Sequence, residues 1–428
     1  MMIKINKTVI FSFANLFLKS ISLLLLTPFL VGNLDDSSLF IWYFLVTIYS
    51  IVMLLDLGFL PTISRYTTKL ANTKYMYSII SLSKRIYLFL STFTFIFILL
   101  FSSFYLKGKS GLQLPESSFY FLIVYIFICS FSLYANVYAS MLHGLDEIIE
   151  IQIAQIIGSF IGISFSLCSL LLYGNVFITA ISFYFGQILV FLYLRLKFKC
   201  RLENISFNER IEQTIFSRKI LISDSLKSGF GILLSLGVLH MASLFVTYDM
   251  GVVESAAYLF LVQIFRAIIS FSQPIFYTRI PSINRMYNES GSFKYVTDYA
   301  KPYIFYSVLF YLFLVVISYL FCEIYFYYFD EQSLRSDLST WTIFMVAFFI
   351  ERICSMLLQL YTSTGKVIWH KINGLTGVVI MICISAFYLS NNINVSSYPI
   401  SVFISYFFFF FPIIIYISLK EAKIVNKK

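Results

Sequence analysis

Long apolar runs alternate with short polar breaks along the whole chain, and the runs are long enough to fix the element type. Each holds roughly 20 residues, the length a helix needs to cross a hydrocarbon core of about 30 Å. The runs do not alternate apolar and polar positions in short segments, which excludes a transmembrane β-barrel. Twelve helices are predicted, at approximately 8–31, 38–60, 86–106, 118–142, 151–173, 176–198, 225–247, 254–278, 302–328, 341–362, 367–390 and 399–419. The break between helices 5 and 6, "LYGNVF" (Leu172–Phe177), is short. The first run follows a basic "MMIKINK", as a secretory signal would. It nevertheless contains Lys19, continues to about Val31 and lacks a small-residue cleavage site, so it reads as a retained span.

The second pattern is a repeat. Pro61 to Arg65 ("PTISR") returns as Pro281 to Arg285 ("PSINR"), 220 positions later in a chain of 428. Gly32 matches Gly251 ahead of helices 2 and 8, and "YASMLHG" (Tyr138–Gly144) matches "QLYTSTG" (Gln359–Gly365) at the ends of helices 4 and 10. Helices 1–6 and 7–12 therefore read as two copies of one unit. Six is an even number, so the copies share an orientation and form a parallel repeat. The expected fold is an all-α membrane protein, twelve spans in two six-helix lobes around a central cavity. The N-terminal lobe is expected at 1–200, a cytoplasmic linker at 201–220 and the C-terminal lobe at 221–428.

Composition supports the membrane reading. The chain is 59% apolar and 12% charged, with a mean hydropathy of +0.85, whereas soluble domains carry about 25% charged residues. Charge then orients the bundle. Most of the 31 Lys/Arg lie on the face that holds both termini. The opposite face has only Lys107, Lys109 and Arg335, and Lys19, Arg266 and Arg352 fall inside spans. Positive residues stay inside, so both termini of this inner-membrane-type protein are expected in the cytoplasm. The net charge of +10 is thus an orientation signal, not a nucleic-acid footprint. The six cysteines are scattered without metal-ligand or redox spacing.

Ionisable groups inside spans cost at least roughly 2.5–3.5 kcal/mol and are functional candidates by default. Lys19, Arg266, Arg352 and His240 are the candidate cations of a substrate path, and the alternative is that the bases pair with Asp56 and Glu351 as structural glue. Glu351 and Arg352 are adjacent, about 100° apart on a helix, and so face different surroundings. Glu351, and less centrally Asp56, are candidates for coupling to a proton or sodium ion, since a buried carboxylate changes charge with its surroundings. Arg65 and Arg285 either close the cytoplasmic side or simply snorkel at the boundary. The amides Asn136, Gln155, Gln187, Gln263 and Gln359 are expected to bond helix to helix. No other cofactor and no metal site is indicated.

The stretch "LLDLGFLPTISRY" (Leu54–Tyr66), Lys19, Gly32 with Trp42, "HGLDEI" and "IPSINRM" together resemble the oligosaccharide flippases of the polysaccharide-transporter family. These are the O-antigen (Wzx-type) translocases of the multidrug/oligosaccharidyl-lipid/polysaccharide exporter superfamily. The resemblance implies a non-enzymatic flippase that moves undecaprenyl-diphosphate-linked oligosaccharide to the periplasmic leaflet by alternating access. It also implies membrane lipids and the O-antigen polymerase machinery as partners. Asp56–Gly58, Arg65, Lys19, Gly144 and Gly365 are the matching positions. "HGLDEIIE" (His143–Glu150) departs from the pattern because it is net acidic where such loops are basic. The nearest rival is a cation-coupled drug exporter of the same superfamily, for which acidic cavity residues are expected. A membrane polysaccharide polymerase would need larger outer loops, and a fourteen-helix peptidoglycan-precursor flippase would need two more spans.

Overall fold

A computed structural model describes residues 11, 14–15, 17–18, 26–70, 75–109, 111–112, 115–203, 218–329, 334–364 and 368–424. Among them all regular structure is helical. Ten helices are long and apolar enough to cross a membrane, which makes this a multi-pass membrane protein. The expected count of twelve is met only in part. The run at 8–31 lies largely outside the described residues. The run at 225–247 is helical but interrupted: α7 (Arg218–Ile232) passes through a π turn, Leu233–Gly237, into α8 (Val238–Tyr248).

The chain divides into two compact units, Met1–Leu233 and Leu234–Lys428. Of the expected linker at 201–220, residues 204–217 lie outside the described residues. Unit 1 contains α1 (Asp36–Leu54), α2 (Phe59–Leu70), α3 (Met76–Gly108), α4 (Glu116–Gly144), α5 (Ile148–Tyr173), α6 (Val176–Glu203) and α7. The start of α1 is set by Asp35 in extended backbone with Asp36 in the first turn, where a negative charge suits the helix dipole. Its residues Leu39 to Ile48 are buried on every side. Trp42 meets Phe183 edge-on, and the Tyr125 hydroxyl donates to the Leu45 carbonyl at 2.6 Å. By contrast α3 turns Phe89, Phe93, Phe97, Leu100 and Phe104 outward, as a lipid-facing helix does. Helices α5 and α6 are separate, divided at Gly174, whose φ of 57° ends α5.

Unit 2 contains α8, α9 (Val252–Tyr277), α10 (Ile280–Ser290), α11 (Phe293–Phe329), α12 (Leu338–Thr362), α13 (Trp369–Leu389), α14 (Ser397–Ile404), a π turn at Ser405–Phe410, and α15 (Phe411–Ile424). Here α9 is the enclosed span, and α11 exposes Phe305, Leu309, Phe313, Val316, Leu320 and Ile324. The duplication is therefore visible in burial as well as in sequence. In each unit the second expected span is the central one and the third faces outward.

Both copies follow that central span with a break and a short amphipathic helix. In unit 1 the break is Leu55–Gly58, with Leu57 at φ 50° and Gly58 at φ 70°. In unit 2 it is Thr278–Arg279. Pro61 and Pro281 fall in the first turns of α2 and α10, where the missing N–H costs nothing. This corrects the reading of helix 2 as one run over 38–60 followed by a polar break. Polar residues there stay helical, since Lys and Arg are good helix formers and α2 needs only one apolar face. That face carries Phe59, Thr62, Ile63 and Thr67, all buried.

Candidate functional site

The interior of unit 2 gathers ionisable groups from four elements. On α9, Arg266 donates from Nη1 to Nδ1 of His240 on α8. A guanidinium cannot accept, so Nδ1 bears the lone pair and His240 is neutral with its proton on Nε2. The Tyr398 hydroxyl of α14 lies beside the same guanidinium. Glu351, on α12, lies in the field of Arg352, its neighbour in sequence, and then of Arg266. Its Oε2 is buried with no hydrogen-bond partner, as is Nη2 of Arg266. Among the described residues no ion pair joins Glu351 directly to either arginine.

Arg352 points elsewhere, as its position next to Glu351 requires. It is 1% exposed. Its Nη2 donates to the Ser272 carbonyl at 3.3 Å and to the Ser307 hydroxyl at 3.0 Å. Ser307 itself donates to the same carbonyl at 2.8 Å. The guanidinium also lies over the Tyr277 ring, 5.4 Å from its centre, and the Tyr277 hydroxyl reaches Ser355 at 3.0 Å. Ser272 stands two residues ahead of Pro274, the proline inside α9. Arg352 thus lies in the packing of α9, α11 and α12, with hydroxyl and carbonyl partners.

In unit 1 the charged group is Asp56, at the α1–α2 break. Its Oδ2 accepts the Leu60 N–H at 2.9 Å, which caps α2. Its Oδ1 accepts the Tyr87 hydroxyl of α3 at 2.5 Å, and the Asn136 side chain of α4 also reaches it. The carboxylate ties three helices together through neutral donors. Elsewhere in unit 1, Asn15 donates from Nδ2 to Oε1 of both Gln152 and Gln155, each at 2.6 Å. Gln155 thus makes the helix-to-helix bond expected of it.

Arg65 and Arg285 occupy corresponding exposed positions on α2 and α10. Lys19 and Gly365 lie outside the described residues. Gly144 has a packing reason. A Cβ there would overlap the Ser64 carbonyl and the Thr67 side chain, and its own carbonyl accepts from Thr68 Oγ1 at 2.8 Å. His143 Nδ1 lies 2.9 Å from Ser64 Oγ. "PTISR" and "YASMLHG" are therefore two faces of one contact between α2 and the end of α4.

The acidic turn also finds its reason. Glu147 pairs with Arg201 at 3.1 Å and Glu150 with Lys197 at 3.2 Å; Tyr193 donates to Glu150 at 2.5 Å. The signal was present in the chain. Glu147 and Glu150 sit one turn apart at the start of α5, and Lys197 and Arg201 one turn apart on α6. Among the described residues no group of His, Cys, Asp and Glu is arranged to hold a metal.

Comparison with solved structures gives the fold a class. The chain matches the inward-facing conformation of a multidrug resistance MATE family transporter of the MOP superfamily at TM-score 0.69 and 14% identity, over 100% of this chain and 97% of that one. The outward-facing conformation of a multidrug resistance MATE family transporter matches at TM-score 0.66 and 15% identity, over 98% and 95%. A MOP superfamily transporter from Pyrococcus furiosus, described as having a binding pocket of reverse polarity, matches at TM-score 0.57 and 13% identity, over 97% and 94%. This chain has the fold of MATE transporters. No protein-family model and no curated protein matches it.

Proposed function

We propose that this chain is a transporter that exports amphipathic molecules by alternating access. The observation that carries the reading is a fold shared over nearly the full length of both chains with transporters described as outward-facing and as inward-facing. The names of those neighbours make drug-like solutes the first cargo class, and the buried Glu351 is the candidate for coupling to a proton or sodium ion. A second reading is favoured by one observation in unit 2. There Arg266 and Arg352 outnumber Glu351, and His240 is neutral, so the interior suits an anionic headgroup better than a cationic drug. On that reading the cargo is a diphosphate-linked oligosaccharide whose polyprenyl tail stays in lipid.

Two assays separate them. Expressed in exporter-deficient cells, the chain lowers retention of amphipathic dyes if the first reading holds. Expressed in a flippase-deficient strain, it restores surface polysaccharide and clears the accumulated lipid-linked sugar if the second holds. Arg266→Ala, at normal membrane abundance, lowers the second activity. Failure in both assays with the protein correctly inserted rejects the transport reading.

A further inference from the structure

We propose that Arg279, stacked on the Tyr299–Tyr303 pair, is a headgroup site for an anionic phospholipid of the bilayer at one end of the lipid-facing helix α11. The site is independent of the cargo readings above and stands on unit 2 alone.

The depth of the site follows from α11 itself. Tyr295, Tyr306, Leu309, Phe313, Val316 and Leu320 lie along one helical stripe, each more than half exposed. Tyrosines mark both ends of that stripe. Tyr303 and Tyr327 lie roughly 36 Å apart along the helix, which places both just outside a hydrocarbon core of about 30 Å. Tyrosine is enriched at that level, where the headgroups begin.

Charge separates the two ends. At the Tyr327 end, Arg335 is already paired with Glu323 at 2.8 Å. At the Tyr303 end, Arg279 comes from the break between α9 and α10, and its guanidinium carbon lies 4.9 Å from the centre of the Tyr303 ring. Tyr299 packs against Tyr303 with 5.4 Å between ring centres. Among the described residues no carboxylate pairs with Arg279. Asp298, one position before Tyr299, is held by Lys301 at 2.6 Å. Lys294, exposed on the first turn of α11, adds positive charge to the same end.

Stacking uses the flat face of a guanidinium and leaves its in-plane N–H fork free. That fork matches a phosphate bidentately. The ring beneath holds the side chain in place, so less of its freedom is lost when the phosphate arrives. Tyr306 is one turn from Tyr303, so the apolar stripe begins beside the site. A phosphate at Arg279 that carries hydrocarbon chains therefore serves the cation and the stripe at once, whereas a soluble phosphate serves only the cation. A zwitterionic headgroup brings its own ammonium to compete for the phosphate, and an anionic one does not. The combination selects an anionic phospholipid.

The test is native mass spectrometry of the full-length protein released from detergent, titrated with dioleoyl phosphatidylglycerol or dioleoyl phosphatidylcholine. The parent binds its first phosphatidylglycerol several-fold more tightly than its first phosphatidylcholine. Arg279→Ala weakens phosphatidylglycerol binding about fivefold and leaves phosphatidylcholine unchanged. Tyr303→Ala repeats that loss, and Tyr303→Phe, which keeps the ring, binds as the parent does. Lys199→Ala removes the same charge from an exposed position in unit 1 and has no effect. Should Arg279→Ala not fold, Arg279→Gln takes its place. A parent that does not distinguish the two lipids, an Arg279 variant that binds phosphatidylglycerol unchanged, or a Lys199→Ala protein weakened as much as Arg279→Ala overturns the proposal. Two competitors test the source of the phosphate. Displacement by glycerol phosphate marks a site for soluble phosphate, and tighter binding of undecaprenyl phosphate marks a site for a lipid-linked cargo; either result overturns the assignment to a bilayer lipid.

Discussion

Asp56 and Glu351 are both carboxylates beside a central span, yet their surroundings assign them different work. Asp56 receives Leu60 N–H and the Tyr87 hydroxyl, so each oxygen has a donor. Glu351 keeps a bare oxygen in the field of Arg352 and Arg266. Tyr87→Phe removes one donor from a buried carboxylate and should cost about 1–3 kcal/mol, read as a lower thermal melting point of the purified protein. The difference between the two acids was only half legible in the chain. That Glu351 and Arg352 face different ways follows from helix geometry alone. The partners of Arg352, Ser272 and Ser307, lie 80 and 45 positions away. Nothing local to "IERICS" announces them, because the packing of three helices decides which hydroxyls reach the guanidinium.

The spans themselves were the easiest feature to read, since length and apolarity decide them without reference to neighbours. What the pattern missed are the places where a helix changes character. The π turn at Leu233–Gly237 admits one extra residue per turn, and an unbroken apolar run such as "GILLSLGVLH" leaves no mark of it. The amphipathic helices α2 and α10 read as polar breaks because their polar side dominates a hydropathy window. Glycine pairs are another feature that only packing reveals. Gly158 and Gly186 bring the backbones of α5 and α6 together, and a Cβ on either would overlap the other's carbonyl. Gly158→Leu should therefore sharply reduce the yield of folded protein after gentle solubilisation. Gly32→Ala, with open space around it, should leave that yield unchanged.

For the whole molecule, duplication is the organising fact. Two units repeat a central span, a break and an amphipathic helix, and the sequence repeat marked the same places. Orientation is the part to be tested directly. Reporter fusions within 107–117 and 328–340 should both report the periplasm, and a fusion within 143–150 the cytoplasm; any exchange of sides between the first two breaks the parallel repeat. The fold match at 14% identity over the full chain makes the fold clear and leaves the cargo to the residues of the site.

One further consequence follows from the contact of Gly158 with Gly186. Where two main chains touch, no side chains remain between them to change rotamer or slide. The α5–α6 hairpin is therefore a stiff plank within unit 1. A covalent staple across that hairpin should leave the fold of unit 1 intact.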